Sequence, residues 1–216
     1  MDEAGRGPVL GPLVIGLVAA TPSELAELRE IGVDDSKALT EKKRIQLAES
    51  IRSAVSIAKV LVVPASELNV LMTEKTLNQI EVIKFRQLLQ PYASKVSKLF
   101  LDAADVNAER FGNHFTDLVD DVVAEHKADS KYEIVAAASI LAKTERDRQM
   151  QLLQKEYAKK YPDLPSFGKG YPTNARNFLE EYYRRFNEMP NIARIKWKTV
   201  QKIIEKFPQT NLDEFL

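Results

Sequence analysis

The chain has 216 residues and no cysteine, and its 31 basic side chains balance 31 acidic ones. This length suits one core with an extension, and the lack of thiols excludes disulfides and leaves oxygen and histidine ligands for any metal. The apolar run at residues 9–20 is interrupted by Gly11 and Pro12 and is too short to cross a bilayer, and the acids just before it argue against a signal peptide. We therefore expect an intracellular, cytoplasmic protein with no membrane association.

Charge is distributed unevenly along the chain. Residues 140–206 carry 15 basic and 8 acidic side chains, whereas residues 1–139 are net acidic. An acidic half can take up cations while a basic half meets a polyanion such as a nucleic acid. The alternative is that these lysines and arginines lie on ordinary solvated helix faces.

The chain begins with two adjacent acids, Asp2 and Glu3, followed by the segment Gly5-Arg6-Gly7. Carboxylates are the preferred ligands of hard divalent cations, glycines let a backbone approach a ligand closely, and arginine binds phosphate oxygens. The pattern predicts a metal-dependent site for a phosphate ester. The alternative is a charged, frayed N-terminus with a glycine turn.

Apolar segments alternate with helical patterns through the first two thirds of the chain. Branched apolar runs predict strands, and apolar residues at helical spacing predict helices. The predicted strands lie at residues 13–20, 57–63, 99–101 and 118–124, and the predicted helices at 40–55 and 76–89. This alternation predicts an α/β fold in which functional groups gather where strands end.

The last third of the chain has a different pattern. A long helix is predicted from residue 132 to about residue 157, and its small residues at 136–139 permit close packing on the sheet. Prolines and glycines at 162–172 predict a loop, and residues 177–186 and 194–206 predict two helices. No heptad pattern occurs, so we expect a monomer. The expected organisation is a main domain at residues 1–160, a small basic helical extension at 161–206 and a flexible tail at 207–216.

Two further acids follow predicted core elements. Asp102 comes directly after an apolar strand, and Asp129 lies between the next strand and the long helix. With Asp2 and Glu3 they form a set of four that can meet at one edge of the sheet, where bound divalent cations relieve their repulsion. Carboxylates without thiols favour Mg²⁺ or Mn²⁺ over zinc, and two such ions support phosphodiester cleavage. The alternative is that both aspartates cap helices or form turns.

Eight blocks of sequence occur in order over nearly the whole chain. They are MDEAGRGP (1–8), GPLV (11–14), DSKALT (35–40), DAADV (102–106), HKAD (126–129), AAASILAK (136–143), GKGYP (168–172) and WKT (197–199). Together they resemble type 2 ribonuclease H, ribonuclease HII, most nearly its archaeal branch. The resemblance implies a ribonuclease H-like mixed sheet flanked by helices, with residues 1–160 as the catalytic domain. It also implies an endonuclease of a prokaryotic-type cell that cuts the RNA strand of RNA–DNA hybrids and nicks a DNA duplex 5′ of an embedded ribonucleotide.

The resemblance assigns catalysis to the four acids already singled out. By position, Asp2, Glu3, Asp102 and Asp129 match the carboxylates that bind two divalent ions, Mg²⁺ or Mn²⁺. Asp105 then corresponds to a neighbouring acid that is not a ligand.

The resemblance also assigns contacts with the substrate. Gly5, Arg6 and Gly7 match the loop that touches the ribose 2′-hydroxyl, and Tyr171 matches a tyrosine that packs on the sugar at the RNA-to-DNA junction. Because DNA lacks this hydroxyl, a site that binds it rejects pure DNA. Two lysines complete the expected substrate-binding set as phosphate contacts, namely Lys37 and, as the weaker candidate, Lys143.

The end of the chain, residues 209–216, resembles the short peptide by which replication and repair proteins bind a sliding clamp. Gln209, Leu212 and Phe215 fall at the matching positions. Spaced apolar anchors on a polar tail suit insertion into a partner's pocket. The alternative is a frayed chain end.

Two departures from the family pattern lead to expectations. Relatives carry several residues before the acid pair, whereas only Met1 precedes Asp2 here. If the strand they form is missing, Asp2 hangs from a free end and metal binding is impaired. Lys169, Asn174 and Ala175 replace residues usually seen as serine, aspartate and proline, so the preferred junction is expected to shift.

Three functions therefore compete. The first is the metal-dependent endonuclease, and the second is a catalytically impaired, clamp-tethered protein that binds RNA–DNA hybrids. The third is a related nuclease that cuts long hybrids but spares a single embedded ribonucleotide. We interpret two remaining residues as structural, His126 as a hydrogen-bonding group and Trp197 as core packing.

Overall fold

The computed structural model describes residues 1–33 and 40–207. The strands in these ranges are β1 (Asp2–Ala4), β2 (Leu13–Ala19), β3 (Ile57–Val63), β4 (Lys98–Asp102) and β5 (Asp121–Glu125). The α-helices are α1 (Pro22–Glu30), α2 (Glu41–Ala54), α3 (Ala65–Leu71), α4 (Leu77–Leu89), α5 (Ala108–Asn113), α6 (Glu133–Lys160), α7 (Pro172–Phe186) and α8 (Lys198–Lys206). Short 3₁₀ helices precede β4 at Gln90–Lys95 and α6 at Ala128–Ser130.

Hydrogen bonds join the strands into a mixed sheet. The strands β1, β2 and β3 are antiparallel neighbours in that order, and β4 pairs in parallel with β5. Met1 connects these two groups, because its backbone nitrogen donates to the Phe100 carbonyl at 2.6 Å and the Asp102 N–H donates to the Met1 carbonyl at 3.0 Å. The order along the layer is therefore β3-β2-β1-β4-β5. The expected mixed sheet flanked by helices is confirmed.

The same bonds support Asp2. This residue is buried within β1 and is paired with Gly16 of β2, while Met1 is held by β4. Hydrogen bonds therefore hold the segment on both sides. The expectation that Asp2 hangs from a free end is wrong, so it gives no reason for impaired metal binding.

The chain divides into two compact units. Of the described residues, the first unit contains 1–6, 13–33, 40–63 and 74–147, and the second contains 7–12, 64–73 and 148–207. The units divide within helix α6, between Asp147 and Arg148, whereas the sequence places a boundary after residue 160, where this helix ends. Two early segments also join the second unit through contacts far apart in sequence, which local patterns do not reveal. The functional domains at 1–160, 161–206 and 207–216 remain predictions.

Helix α6 crosses the sheet of the first unit at very short range. A Cβ atom at Gly16 would lie 2.2 Å from the Ala138 carbonyl oxygen, so the two backbones are in direct contact. The small residues at 136–139 are all buried, as close packing requires. On the opposite face, α4 contributes Phe85 to an apolar cluster with Leu17 of β2.

The second unit has a separate aromatic core. Phe167 and Phe178 pack with ring centroids 4.8 Å apart. The segment 7–12 is tied to this unit by hydrogen bonds, including one from the Val9 N–H to the Gly170 carbonyl at 2.8 Å. Among the described residues, no helix has the length and apolar character needed to cross a membrane.

Candidate active site

Three carboxylates lie together where strands of the first unit end. Asp2 lies on β1, Asp102 is the last residue of β4, and Asp129 lies in the short 3₁₀ helix after β5. Each offers one oxygen, and these oxygens are all within 4.8 Å of one another. The hydrogen bonds of Met1 bring β4 beside β1, and the parallel pairing of β4 and β5 brings the ends of these two strands to one edge. Three of the four predicted ligands are therefore gathered at one point.

Burial and mutual repulsion oppose ionisation of these carboxyl groups. Burial raises the pKa of Asp2 to about 6; the Ser139 hydroxyl opposes this increase and the charge of Asp102 adds to it. Burial also raises the pKa of Asp102, and Asp129 adds to that increase. A divalent cation favours the charged forms and relieves the repulsion. The close oxygen donors therefore fit a hard cation such as Mg²⁺ or Mn²⁺.

Glu3, the fourth predicted ligand, lies outside the group of three. Successive side chains on a strand point to opposite faces, so Asp2 faces helix α6 whereas Glu3 faces α4. The pKa of Glu3 is raised well above its usual value by burial first, and then by Asp2, Glu81 and Asp102. Its Oε2 is buried and has no hydrogen-bond partner among the residues that the structure describes. Glu3 thus lies close to the group with an unsatisfied carboxylate oxygen.

Lys143 lies beside the carboxylates on helix α6. Its Nζ is 3.8 Å from Oδ2 of Asp129, and its side chain is 46% exposed. Its charge also lowers the pKa of Asp2. Because the ammonium group is accessible to solvent, it can also reach a phosphate, and the predicted phosphate contact stays a prediction.

The glycine loop after β1 places the side chain of Arg6 against groups of the fold while leaving 37% of it exposed. Gly5 has a φ of 94°, in the left-handed region that favours glycine. The Arg6 guanidinium donates to Oδ1 of Asn78 at 2.5 Å and to the Ala104 carbonyl, and it lies 3.5 Å from a carboxylate oxygen of Glu81. Arg6 therefore uses donors within the fold, and its predicted contact with the substrate stays a prediction.

Two predicted substrate contacts lie together in the second unit. A Cβ atom at Gly7 would be 3.8 Å from Cε1 of Tyr171, and Tyr171 is 44% exposed. The tyrosine immediately precedes α7, whose first residue is Pro172. An exposed ring beside a glycine offers a flat surface on which a sugar can pack. The third predicted contact, Lys37, lies outside the described residues.

Sequence reasoning missed Glu81, which is fully buried on helix α4. A signal for it was present in the sequence. Leu77, Glu81, Phe85 and Leu89 recur every four residues, so one acid occupies the apolar face of the helix. A charged residue at such a position needs a partner inside the protein.

Other polar and aromatic residues of the sequence motifs have structural contacts. Asp105 pairs with Arg110 at 2.5 Å and lies outside the group of three acids. His126 Nε2 lies 3.3 Å from the Val106 carbonyl oxygen. Trp197 packs against the core of the second unit, in agreement with its interpretation as core packing.

Comparison with known proteins shows similarity over the full chain. The model of the family described as Ribonuclease HII matches residues 1–200. Ribonuclease HII of Thermococcus onnurineus is 42% identical over 100% of this chain and 96% of its own length. The corresponding protein of Pyrococcus horikoshii is 41% identical over 100% of this chain and 97% of its own length.

Solved structures share the fold as well. The crystal structure of ribonuclease H2 from Pyrococcus horikoshii OT3 has a TM-score of 0.83 and 39% identity, covering 95% of each chain. The structure of the PCNA:RNase HII complex from Archaeoglobus fulgidus has a TM-score of 0.81 and 37% identity, covering 99% of this chain and 98% of the other. The sheet, the group of acids and these similarities agree on one conclusion. The chain belongs to the ribonuclease HII family and is a ribonuclease H endonuclease.

Proposed function

We propose that this endonuclease hydrolyses the RNA strand of RNA–DNA hybrids and nicks DNA duplexes on the 5′ side of embedded ribonucleotides, using two divalent ions. The observation that carries the proposal is the group formed by Asp2, Asp102 and Asp129, whose oxygens lie within 4.8 Å of one another. Such a group repels itself without a cation, and its hard oxygen donors suit Mg²⁺ or Mn²⁺. Family membership supports the choice of substrate.

The acids have distinct tasks in this proposal. Asp2, Asp102 and Asp129 would hold the ions, and Glu3 would contribute its unsatisfied oxygen. Ions bound there would activate a water molecule and stabilise the leaving oxygen. Burial of Asp2 limits access of bulk water to this carboxylate, and Lys143 offsets part of the negative charge.

Recognition of ribose is assigned to the glycine loop and to Tyr171. The left-handed conformation of Gly5 lets the backbone turn without a side chain, and Gly7 leaves room beside the tyrosine ring. Backbone groups of this loop would bind the 2′-hydroxyl, and the exposed ring would pack on the sugar. A deoxyribose lacks this hydroxyl, so the same contacts would reject DNA. Lys37 and Lys143 would contact phosphates.

A sliding clamp is the proposed protein partner. The Archaeoglobus fulgidus relative was solved as a complex with PCNA. In this chain Gln209, Leu212 and Phe215, which lie outside the described residues, would supply the anchors. We propose that the protein acts as an intracellular monomer at such a clamp.

The test uses a DNA duplex that contains one ribonucleotide. We expect a nick 5′ of the ribonucleotide with Mg²⁺ or Mn²⁺, and no product with a chelator or with an all-DNA duplex. Asp102→Asn should lower the rate on the order of 10³-fold because it removes one charged ligand. The matched control is Asp120→Asn, which changes an exposed acid before β5 and should keep the rate of the unmodified chain.

Other outcomes identify the competing functions. No product from the unmodified chain, or undiminished nicking by Asp102→Asn, would contradict the proposal. Binding of a hybrid without metal-dependent product would support the catalytically impaired, clamp-tethered alternative. Cleavage of long hybrids without a nick at the single embedded ribonucleotide would support the third function, a related nuclease with a narrower range of substrates.

A further inference from the structure

Glu81 is a buried acid with no assigned role. It is fully buried on the apolar face of helix α4, close enough to Glu3 to raise the pKa of that carboxyl. Burying a carboxylate is costly unless a cation or hydrogen bonds compensate its charge. A cation beside it is Arg6, whose Nη1 lies 3.5 Å from Oε2 of Glu81.

Arg6 is held from several sides. Besides Glu81, its guanidinium binds the side-chain oxygen of Asn78 at 2.5 Å and the carbonyl of Ala104. Asn78 and Glu81 both belong to α4, and Ala104 follows the end of β4. These contacts fix the guanidinium against the helix and the strand end.

Glu3 is the competing partner for this cation. It precedes Arg6 by three residues, and the guanidinium is near enough to lower the pKa of Glu3. Oε2 of Glu3 is buried and has no hydrogen-bond partner among the residues described. An arginine free to move would form a charge-assisted pair with this carboxylate. A divalent cation would then have to displace the guanidinium before it could use Glu3.

We infer that Glu81 is a positioning residue that, together with Asn78, holds the Arg6 guanidinium away from Glu3 and so keeps Glu3 available to a divalent cation. This inference rests on the proposed metal-dependent function. It concerns the side chain of Arg6 and leaves the backbone of the glycine loop available for substrate. It also explains why an acid lies on the apolar face of α4, where a leucine would otherwise pack.

The experiment measures Mn²⁺ affinity by calorimetry on the full-length chain without substrate. Glu81→Gln should weaken Mn²⁺ binding by about tenfold, because loss of a supporting partner typically costs at least that much in metal affinity. Adding Arg6→Gln to that variant should restore the affinity to within about twofold, because the competing cation is gone. The control Glu109→Gln changes an exposed acid on α5 and should leave the affinity unchanged.

The double variant separates positioning from mere structural support. If Glu81 only stabilised the fold, Glu81→Gln with Arg6→Gln would bind Mn²⁺ no better than Glu81→Gln alone, and that result would overturn the inference. Unchanged affinity in Glu81→Gln would overturn it as well. Asn78→Ala, at a partly exposed position, gives a second test with a milder change, with an expected loss of about threefold that Arg6→Gln again reverses. Absence of Mn²⁺ binding by the unmodified chain would instead refute the proposed metal-dependent function on which the inference rests.

Discussion

The two faces of strand β1 hold their acids by different means. On the α6 face, Asp2 is fixed beside closely packed backbone, where Gly16 meets the Ala138 carbonyl. On the α4 face, Glu3 lies near the fully buried carboxylate of Glu81 and its partly exposed neighbour Arg6. We therefore expect the α6 face to be sensitive to added side-chain volume and the α4 face to be sensitive to the loss of a charge.

This difference follows from the alternation of side chains along a strand. Adjacent acids on β1 cannot enter the same environment, because their side chains point to opposite faces. Asp2 joins Asp102 and Asp129 directly, whereas Glu3 needs a second set of residues to keep its carboxylate available. A pair of neighbouring acids in sequence thus gives two proposed ligands with different surroundings.

The largest expected change tests the volume-sensitive face. A methyl group at Gly16 would lie 2.2 Å from the Ala138 carbonyl oxygen, so Gly16→Ala must push helix α6 away from the sheet. Overpacking of this kind should lower the free energy of unfolding by about 3 kcal/mol. Urea titration followed by circular dichroism measures the loss.

Gly32→Ala separates this clash from backbone strain. Gly32 has a φ of +77°, and no atom of the residues that the structure describes lies within 4 Å of an added Cβ, so the expected cost is conformational, about 1 kcal/mol. Equal losses in the two variants would mean that α6 moves freely and that the close contact does not determine the position of Asp2.

The next prediction concerns the buried carboxyl of Asp2. In the absence of divalent ions and at pH 7, Asp2→Asn should raise the free energy of unfolding by about 2 kcal/mol, because it removes a charge that burial disfavours. The same variant should gain no stability from added Mn²⁺, whereas the unmodified chain should gain. Thermal unfolding with and without a chelator measures both effects.

The pH dependence of this effect has a definite sign. The Asp2 carboxyl has an ordinary pKa of 3.8 and a folded pKa of about 6, so the folded state binds the proton more tightly than the unfolded state. The metal-free chain should therefore lose stability as the pH rises from about 4 to 6. Asp2→Asn should reduce that loss by the contribution of Asp2, and its advantage should be absent at pH 4. An advantage that is independent of pH would contradict this account.

Much of the site follows from local sequence, and the rest depends on contacts far apart in sequence. Asp102 ends an apolar strand and Asp129 follows the next one, so strand patterns allow them to meet, and the family resemblance assigned both to the metal site. Asp2–Ala4 is too short and polar to be predicted as a strand, and it becomes one because β2 and β4 lie on either side. Asn78 has no local pattern that marks its contact with Arg6.

Helix boundaries also depend partly on local sequence signals and partly on contacts far apart in sequence. Helix α1 is not among the predicted helices, because the spacing of apolar residues did not indicate it. Its capping box, formed by Thr21 and Glu24, is a local signal for the start of this helix. Helix α7 begins at Pro172, five residues before the predicted start, because proline is well suited to the first turn of a helix. Helix α8 begins only at Lys198, since the preceding residues bind the segments 7–12 and 64–73 of the second unit.

The smallest expected change compares the two cations of the site. Lys143 is 46% exposed and 3.8 Å from Asp129, and such exposed pairs contribute little, so Lys143→Gln should change the free energy of unfolding by less than about 0.5 kcal/mol. Arg6→Gln should cost about 2 kcal/mol, because it removes a cation from beside the fully buried Glu81. Urea titrations of both variants at pH 7 without divalent ions give the comparison. Equal effects would mean that the charges on the two faces of β1 are equally screened by water, and the distinction between a volume-sensitive and a charge-sensitive face would then fail.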